Sequence, residues 1–220
     1  MIKIILSPKF CLICLNKKEN RYICLKCLKN NNFSLKVFCF KCQKLITSEL
    51  KTCHLDSPIK FLFSFSTYEN ETFKKLVLNG KNQAYEILTD LGYFIGEELK
   101  TSKLYFKIKD FYLCPVPLTK KSLLKRGFNQ AEVLASSISS VTNLPIFRGL
   151  IKIKETLDQS QLDYKQRLTN LKQAFDLKDK PPLKVILIDD IKTTGTTLKE
   201  CAKVLRKNGT KEVITLTILY

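Results

Sequence analysis

Val185-Ile-Leu-Ile-Asp-Asp-Ile-Lys-Thr-Thr-Gly-Thr-Thr197 is the stretch on which the fold turns. Val185 to Ile188 form a short unbroken apolar run, the pattern of a strand buried on both faces of a parallel sheet. Two acids, Asp189 and Asp190, follow at once. The carboxyl end of such a strand is where open α/β sheets bind ligands. Adjacent carboxylates there are suited to accept from a pair of vicinal hydroxyls. Thr193, Thr194, Gly195, Thr196 and Thr197 then supply hydroxyl donors and a glycine that permits a tight turn. The helix expected over 196–207, stopped by Asn208-Gly209, adds free N–H groups and a positive dipole end, an anion site suited to phosphate. Acids for a ribose and a nest for its 5-phosphate make a cradle for a phosphorylated pentose. A plain strand–turn–helix with a Thr cap would explain the turn, but not two consecutive acids. Neither Gly-x-x-x-x-Gly-Lys nor Gly-x-Gly-x-x-Gly is present in the run, so the nucleotide P-loop and dinucleotide fingerprints are not supported.

On either side the pattern alternates. A final strand is expected over 213–219, and a short apolar strand over 111–116 ends at Pro115 and Pro117. The segment 129–141 reads as a helix with Ala131, Leu134, Ala135 and Ile138 at core spacing. Residues 145–153 read as extended, and 163–175 as polar and partly helical. Further upstream, 61–66 reads as a strand, and 69–78 and 83–99 read as helices, the second apolar at Ile87, Leu88, Leu91, Phe94, Ile95 and Leu99. Strands alternating with helices predict an α/β fold, a mostly parallel sheet with helices on both faces.

The chain has 220 residues, 45% hydrophobic and 26% charged, a globular balance that excludes wholesale disorder. No apolar run approaches the ~18 residues of a membrane span, and Met1–Leu6 lacks a cleavage pattern, so a cytoplasmic protein is expected. Seven of the nine cysteines lie between Cys11 and Cys53. In a chain without an export signal, Cys-x-x-Cys pairs favour a metal over disulfides. Cys11, Cys14, Cys24 and Cys27 form a quartet suited to tetrahedral Zn²⁺. Cys39 and Cys42 with Cys53 form a second, less complete set, which either Asp56 or His54 would finish if it holds a second zinc at all; which pairs share an ion is left open. The cysteines stop near Ser57-Pro58, which divides the chain into a zinc-binding module, 1–60, and a larger domain, 61–220. A Zn²⁺ there would stand in for a hydrophobic core the module lacks.

The net charge is +18, and residues 1–60 carry 12 Lys+Arg against 3 Asp+Glu. Such a surplus fits a polyanion such as single-stranded DNA. Compositional bias explains it equally well, since 33 of the 38 basic residues are Lys.

The 185–197 run is similar to the signature of type I phosphoribosyltransferases, which bind 5-phosphoribosyl 1-diphosphate. At Lys192 that signature usually carries an apolar residue. Cys114-Pro-Val-Pro-Leu118, Lys120-Lys121, Arg126-Gly-Phe-Asn-Gln130, Thr156-Leu-Asp-Gln159 and Arg167-Leu-Thr-Asn170, together with the cysteine pairs, resemble the ComF (GntX-like) family, associated with DNA uptake in natural competence. Relatives commonly carry a Cys where this chain has Asp56, and a Lys-aromatic-x-Gly near Val77-Leu-Asn-Gly80. The resemblance implies displacement at ribose C1 with loss of Mg²⁺-bound diphosphate. It implies that Asp189 and Asp190 position the ribose, and that Pro117, Lys121 and Arg126 serve the diphosphate. Gln159 and Arg167 would act from a loop closing over the site. Two functions follow: a phosphoribosyltransferase with a zinc module, or a non-catalytic competence factor that binds single-stranded DNA and works with other DNA-uptake proteins.

Overall fold

A computed structural model of the chain describes residues 10–16, 21–47, 51, 53–54, 56–82, 84–155 and 173–220. The strands are β1 (Lys36–Cys39), β2 (Phe61–Ser66), β3 (Tyr112–Pro115), β4 (Leu150–Lys152), β5 (Phe175–Leu177), β6 (Lys184–Ile191) and β7 (Glu212–Leu219). The helices are α1 (Leu25–Asn30), α2 (Glu71–Asn82), α3 (Tyr85–Thr101), α4 (Tyr105–Ile108), α5 (Lys120–Arg126), α6 (Gln130–Thr142) and α7 (Thr196–Lys207). The central sheet runs β1-β2-β7-β6-β3, and β4 and β5 form a separate hairpin-like pair. β2 with β7, β7 with β6, and β6 with β3 are parallel, whereas β1 is antiparallel to β2. This is the expected α/β sheet, mostly parallel with helices on both faces.

Period-two alternation assigns each strand residue to a face. Phe61, Phe63, Phe65, Ile186, Ile188, Ile214 and Leu216 pack with α2, α3 and α6, including Val77, Leu91, Ile95 and Leu134. Leu62, Val185, Leu187 and Val213 point the other way, onto Leu198, Cys201, Ala202 and Leu205 of α7. The lone cysteines Cys114 and Cys201 are both fully buried on this second face, as small core residues. Among the described residues, no helix is long and apolar enough to cross a membrane.

Two expectations change. β6 does not stop at Ile188. It stays paired with β7 through Ile191↔Leu219, with Asp189 opposite Thr217, so both acids lie inside the strand. The boundary near residue 58 is crossed by a single sheet. β1 lies within the cysteine-rich segment and covers the edge of β2, from Lys36↔Ser64 to Cys39↔Phe61. Ile23, Leu28, Phe33 and Val37 join the core beneath α2 and α3, and Phe33 stacks on Phe65 at 5.3 Å. The physical reason is that an open β2 edge needs a partner, and that the apolar side chains of the segment are buried against the larger core.

Candidate functional site

β6 delivers Asp189 and Asp190 to the carboxyl end of the sheet. Each carboxylate first caps the backbone behind it: Asp189 Oδ1 accepts from the Asp190 N–H at 3.0 Å, and Asp190 Oδ1 accepts from the Ile191 N–H at 3.0 Å. Asp190 is only 3% exposed, and its Oδ2 accepts no hydrogen bond from any described residue. A buried carboxylate oxygen without a donor is costly. Its one described counter-charge is Lys81 at the end of α2, with Nζ 3.4 Å from Oδ2. Asp189 keeps some contact with solvent. Even so, the packing around its carboxyl and the charge of Asp190 push its pKa well above the ordinary carboxylate value, with Lys81 opposing them. The acid pair is thus held in a state that hydroxyl donors or a cation would relieve.

Nothing in the local sequence pattern marks Lys81 as a site residue. Gly80 places it: a Cβ there would come within 2.9 Å of Leu88 Cγ, so only glycine lets the end of α2 lie this close to α3. The neighbouring Lys81 then reaches over the acids.

The turn after β6 is tied down at both ends. The Lys192 N–H donates to Leu219 O at 2.9 Å, and the Lys199 N–H donates to Gly195 O at 2.9 Å. Gly195 caps α7 at φ +72°, the left-handed region. A Cβ there would meet Phe40 Cζ at 2.9 Å and Lys192 Cε at 3.3 Å. Thr194 and Thr196 share a hydroxyl hydrogen bond of 2.9 Å, and the Thr196 N–H reaches Thr194 Oγ1 at 3.4 Å. Thr193 is exposed and Thr197 half-buried. Asp189, Asp190, Thr194, Gly195 and Thr196 therefore sit on one strand–turn–helix unit, as the sequence predicts.

β3 lies beside β6, and the Val116 N–H donates to Ile188 O at 2.9 Å. Half-buried Pro117 thus leaves the sheet next to the acid pair. α5 follows, capped by Thr119, whose Oγ1 accepts from the Ser122 N–H at 3.2 Å, and closed by Gly127 at φ +84°. α5 buries no residue. Lys121 is exposed on it, and the Arg126 Nη1 donates to Gln130 Oε1 at 2.9 Å. Asn129 ties the segment back: its Oδ1 caps α6 at the Ala131 N–H and its Nδ2 donates to Val116 O, both at 3.0 Å. Gln159 and Arg167 lie outside the described residues.

Two cysteine groups stand in the N-terminal segment. The sulfurs of Cys11, Cys14, Cys24 and Cys27 all lie within 4.8 Å of one another, and so do those of Cys39, Cys42 and Cys53 with a ring nitrogen of His54. Tetrahedral zinc thiolates need sulfurs about 3.8 Å apart, so both groups fit that ion. Burial opposes ionisation of Cys11, but N–H donors of Cys14, Cys24 and Ile13 and the Cys14 thiol outweigh it and bring the thiol down to about 7. Burial and the surrounding thiols push Cys27 up. Burial likewise opposes ionisation of Cys39, yet the Cys42 N–H and His54 bring it down to about 5. The Cys42 and Cys39 thiols push Cys53 up to about 11. In each group one sulfur ionises readily while another holds its proton, the protons a metal would displace. Between the two candidates for the last ligand, the structure groups His54 with the thiols, its Nδ1 3.4 Å from Cys39 Sγ and 3.3 Å from Cys53 Sγ. Asp56 instead pairs with Lys41 at 2.7 Å. A lone histidine next to a cysteine was the available signal, but spacing alone does not separate it from an acid two residues on.

Comparison with known proteins accords with this geometry. Residues 122–220 match the phosphoribosyl transferase domain family. Competence protein F of Haemophilus influenzae is 29% identical, over 86% of this chain and 93% of that protein. Competence protein ComFC of Bacillus subtilis is 27% identical, over 92% of this chain and 80% of its own length. The chain is thus similar to competence proteins of the ComF type over most of its length. A DNA utilization protein of Escherichia coli K12, YhgH, is 32% identical over 44% of each chain. The domain match begins within α5, so the acid pair, the Thr/Gly turn and α7 all fall inside it, while Lys81 and both cysteine groups lie before it.

Proposed function

We propose that this chain is a ComF-like protein that binds 5-phosphoribosyl 1-diphosphate at the end of β6 and serves DNA uptake. The observation that carries the reading is the Asp189–Asp190 pair, with one buried Asp190 oxygen lacking a hydrogen-bond donor among the described residues, close in the chain to the Gly195 nest. The two ribose hydroxyls would donate to the carboxylates. The Thr194–Thr196 turn and the N-terminus of α7 would hold the 5-phosphate. Mg²⁺, when bound with the diphosphate, would neutralise the leaving group. Arg126 and Lys121 of α5 would draw the diphosphate away from C1, and Pro117 would fix the start of their loop. Gln159 and Arg167 would close over the site. A nitrogen nucleophile would then take the C1 position as the C1–O bond to diphosphate breaks.

Calorimetric titration of the zinc-loaded protein with phosphoribosyl diphosphate and Mg²⁺ tests the reading, with Asp189→Asn/Asp190→Asn as the variant. Binding is expected in the wild type and lost in the variant, with zinc content unchanged. Full affinity in the variant would sink the assignment.

Exposed Lys26, Lys29 and Lys44 on the cysteine-rich segment favour a second activity, single-stranded DNA binding by backbone charge. Phe38 is not available to stack on a base, because it is buried against Tyr220. Removing residues 1–60 would strip β1 from the sheet. Lys26→Ala/Lys29→Ala/Lys44→Ala is therefore the better test, and should lower the salt slope of DNA binding by about 2. An unchanged slope would exclude these lysines.

A further inference from the structure

Lys192 is the least expected residue of the Thr/Gly turn. It is 4% exposed, and its amine, with no carboxylate or hydrogen-bond acceptor among the described residues, keeps its remaining contact with solvent. Burial, and secondarily Lys199, lower its pKa, so its charge is held there at a cost. Its stem passes 3.3 Å from where a Gly195 side chain would begin. Behind it stands the Phe40 ring, whose centroid is 5.6 Å from Nζ. Phe40 is itself buried and also limits the space at Gly195. The first turn of α7 contains no acid, although acids are the usual occupants of a helix N-terminus. Positive charge therefore converges from three sources, the helix end, Lys192 and Lys199, on a turn that offers no anion of its own.

We propose that Lys192 is a phosphate-binding residue peculiar to this turn, held against the Gly195 nest by Phe40, and that it selects a dianionic phosphomonoester such as the 5-phosphate of a pentose. The inference rests on the phosphoribosyl reading of the β6–α7 turn but goes beyond it, because hydroxyls and N–H groups alone do not distinguish a dianion from a monoanion. A buried cation does. Removal of the charge leaves the nest intact and takes away that preference.

The test compares wild-type protein with Lys192→Met and Lys192→Gln, all zinc-loaded. Each is titrated with ribose 5-phosphate, with inorganic diphosphate, and with phosphoribosyl diphosphate plus Mg²⁺. Ribose 5-phosphate affinity should fall about 10- to 100-fold in both variants, the usual worth of a charge-assisted contact. Phosphoribosyl diphosphate should weaken by a similar factor, and diphosphate alone should be unaffected. The melting temperature without ligand should stay level or rise, since a desolvated charge has been removed, whereas a purely structural lysine would lower it. Phe40→Leu should weaken ribose 5-phosphate binding in the wild type and add nothing in the Lys192→Met background. If wild type and both variants bind ribose 5-phosphate equally, the role of Lys192 is refuted and the cradle stands. Loss of diphosphate binding alone would place Lys192 at the other end of the ligand and refute the proposal too. If the folded wild type binds neither sugar phosphate, the phosphoribosyl reading fails, and this inference with it.

Discussion

Lys81→Met offers the sharpest measurement of how the acid pair is held. Asp190 Oδ2 is buried, lacks a hydrogen-bond donor among the described residues, and has Lys81 Nζ at 3.4 Å. At an effective dielectric of about 20, two unit charges at that separation attract by about 5 kcal/mol. The Lys81 side chain is 27% exposed, so water screens part of this, and the pair can take up a proton when the lysine is lost. A net destabilisation of about 2–3 kcal/mol is expected, at the lower edge of what breaking a buried pair costs. For a chain of this size that is a loss of about 4–12 °C in melting temperature at pH 7.5. The pH dependence discriminates further. Burial and Asp190 raise the Asp189 carboxyl, and Lys81 holds it down. A carboxyl raised on folding contributes stability that is complete below its unfolded value of about 3.9 and lost as the pH rises through the folded value. Removing Lys81 lifts the folded value further. The deficit should therefore be small at acid pH and grow as the pH rises past the wild-type folded value. Thermal melts of both proteins from pH 5 to 8, at fixed zinc, make the comparison, and Asp190→Asn closes a double-mutant cycle with a coupling of at least about 1 kcal/mol. A loss of the same size at every pH, with no coupling to Asp190, would mean that Lys81 contributes only its aliphatic stem.

Three further outcomes follow from the packing. His54→Ala should remove one bound zinc by elemental analysis while Asp56→Ala leaves the content unchanged; the reverse result would return the last ligand to the acid. Gly195→Ala places a side chain at φ +72° and 2.9 Å from Phe40 Cζ, so strain of about 1–2 kcal/mol plus overpacking should distort the nest and weaken ribose 5-phosphate binding; unchanged calorimetry would show the turn is not the phosphate site. Phe33→Ala empties a position packed on Phe65 and on Phe73 at 4.7 Å, and should cost about 3–5 kcal/mol in one transition of the whole chain. Separate melting of the cysteine-rich segment would contradict the shared core.

Much of this protein is legible in local pattern. The Val185–Ile188 run, the acids after it and the Thr/Gly turn determine a buried parallel strand, a tight turn and the helix that follows, because each is a property of consecutive residues. The Cys-x-x-Cys pairs likewise announce a metal through spacing that survives in any fold. The rest depends on residues far apart in the chain. Only the tertiary structure joins β1 to the sheet, because a four-residue strand is defined by the β2 edge it covers and not by its own pattern. Only the tertiary structure brings His54, and not Asp56, within 3.4 Å of the cysteine sulfurs, since that depends on which side chain the chain directs at them. Lys81 meets Asp190, and Phe40 meets Lys192, across 109 and 152 positions of sequence. Long-range charge and packing contacts leave no periodicity behind, so a sequence can specify them without displaying them.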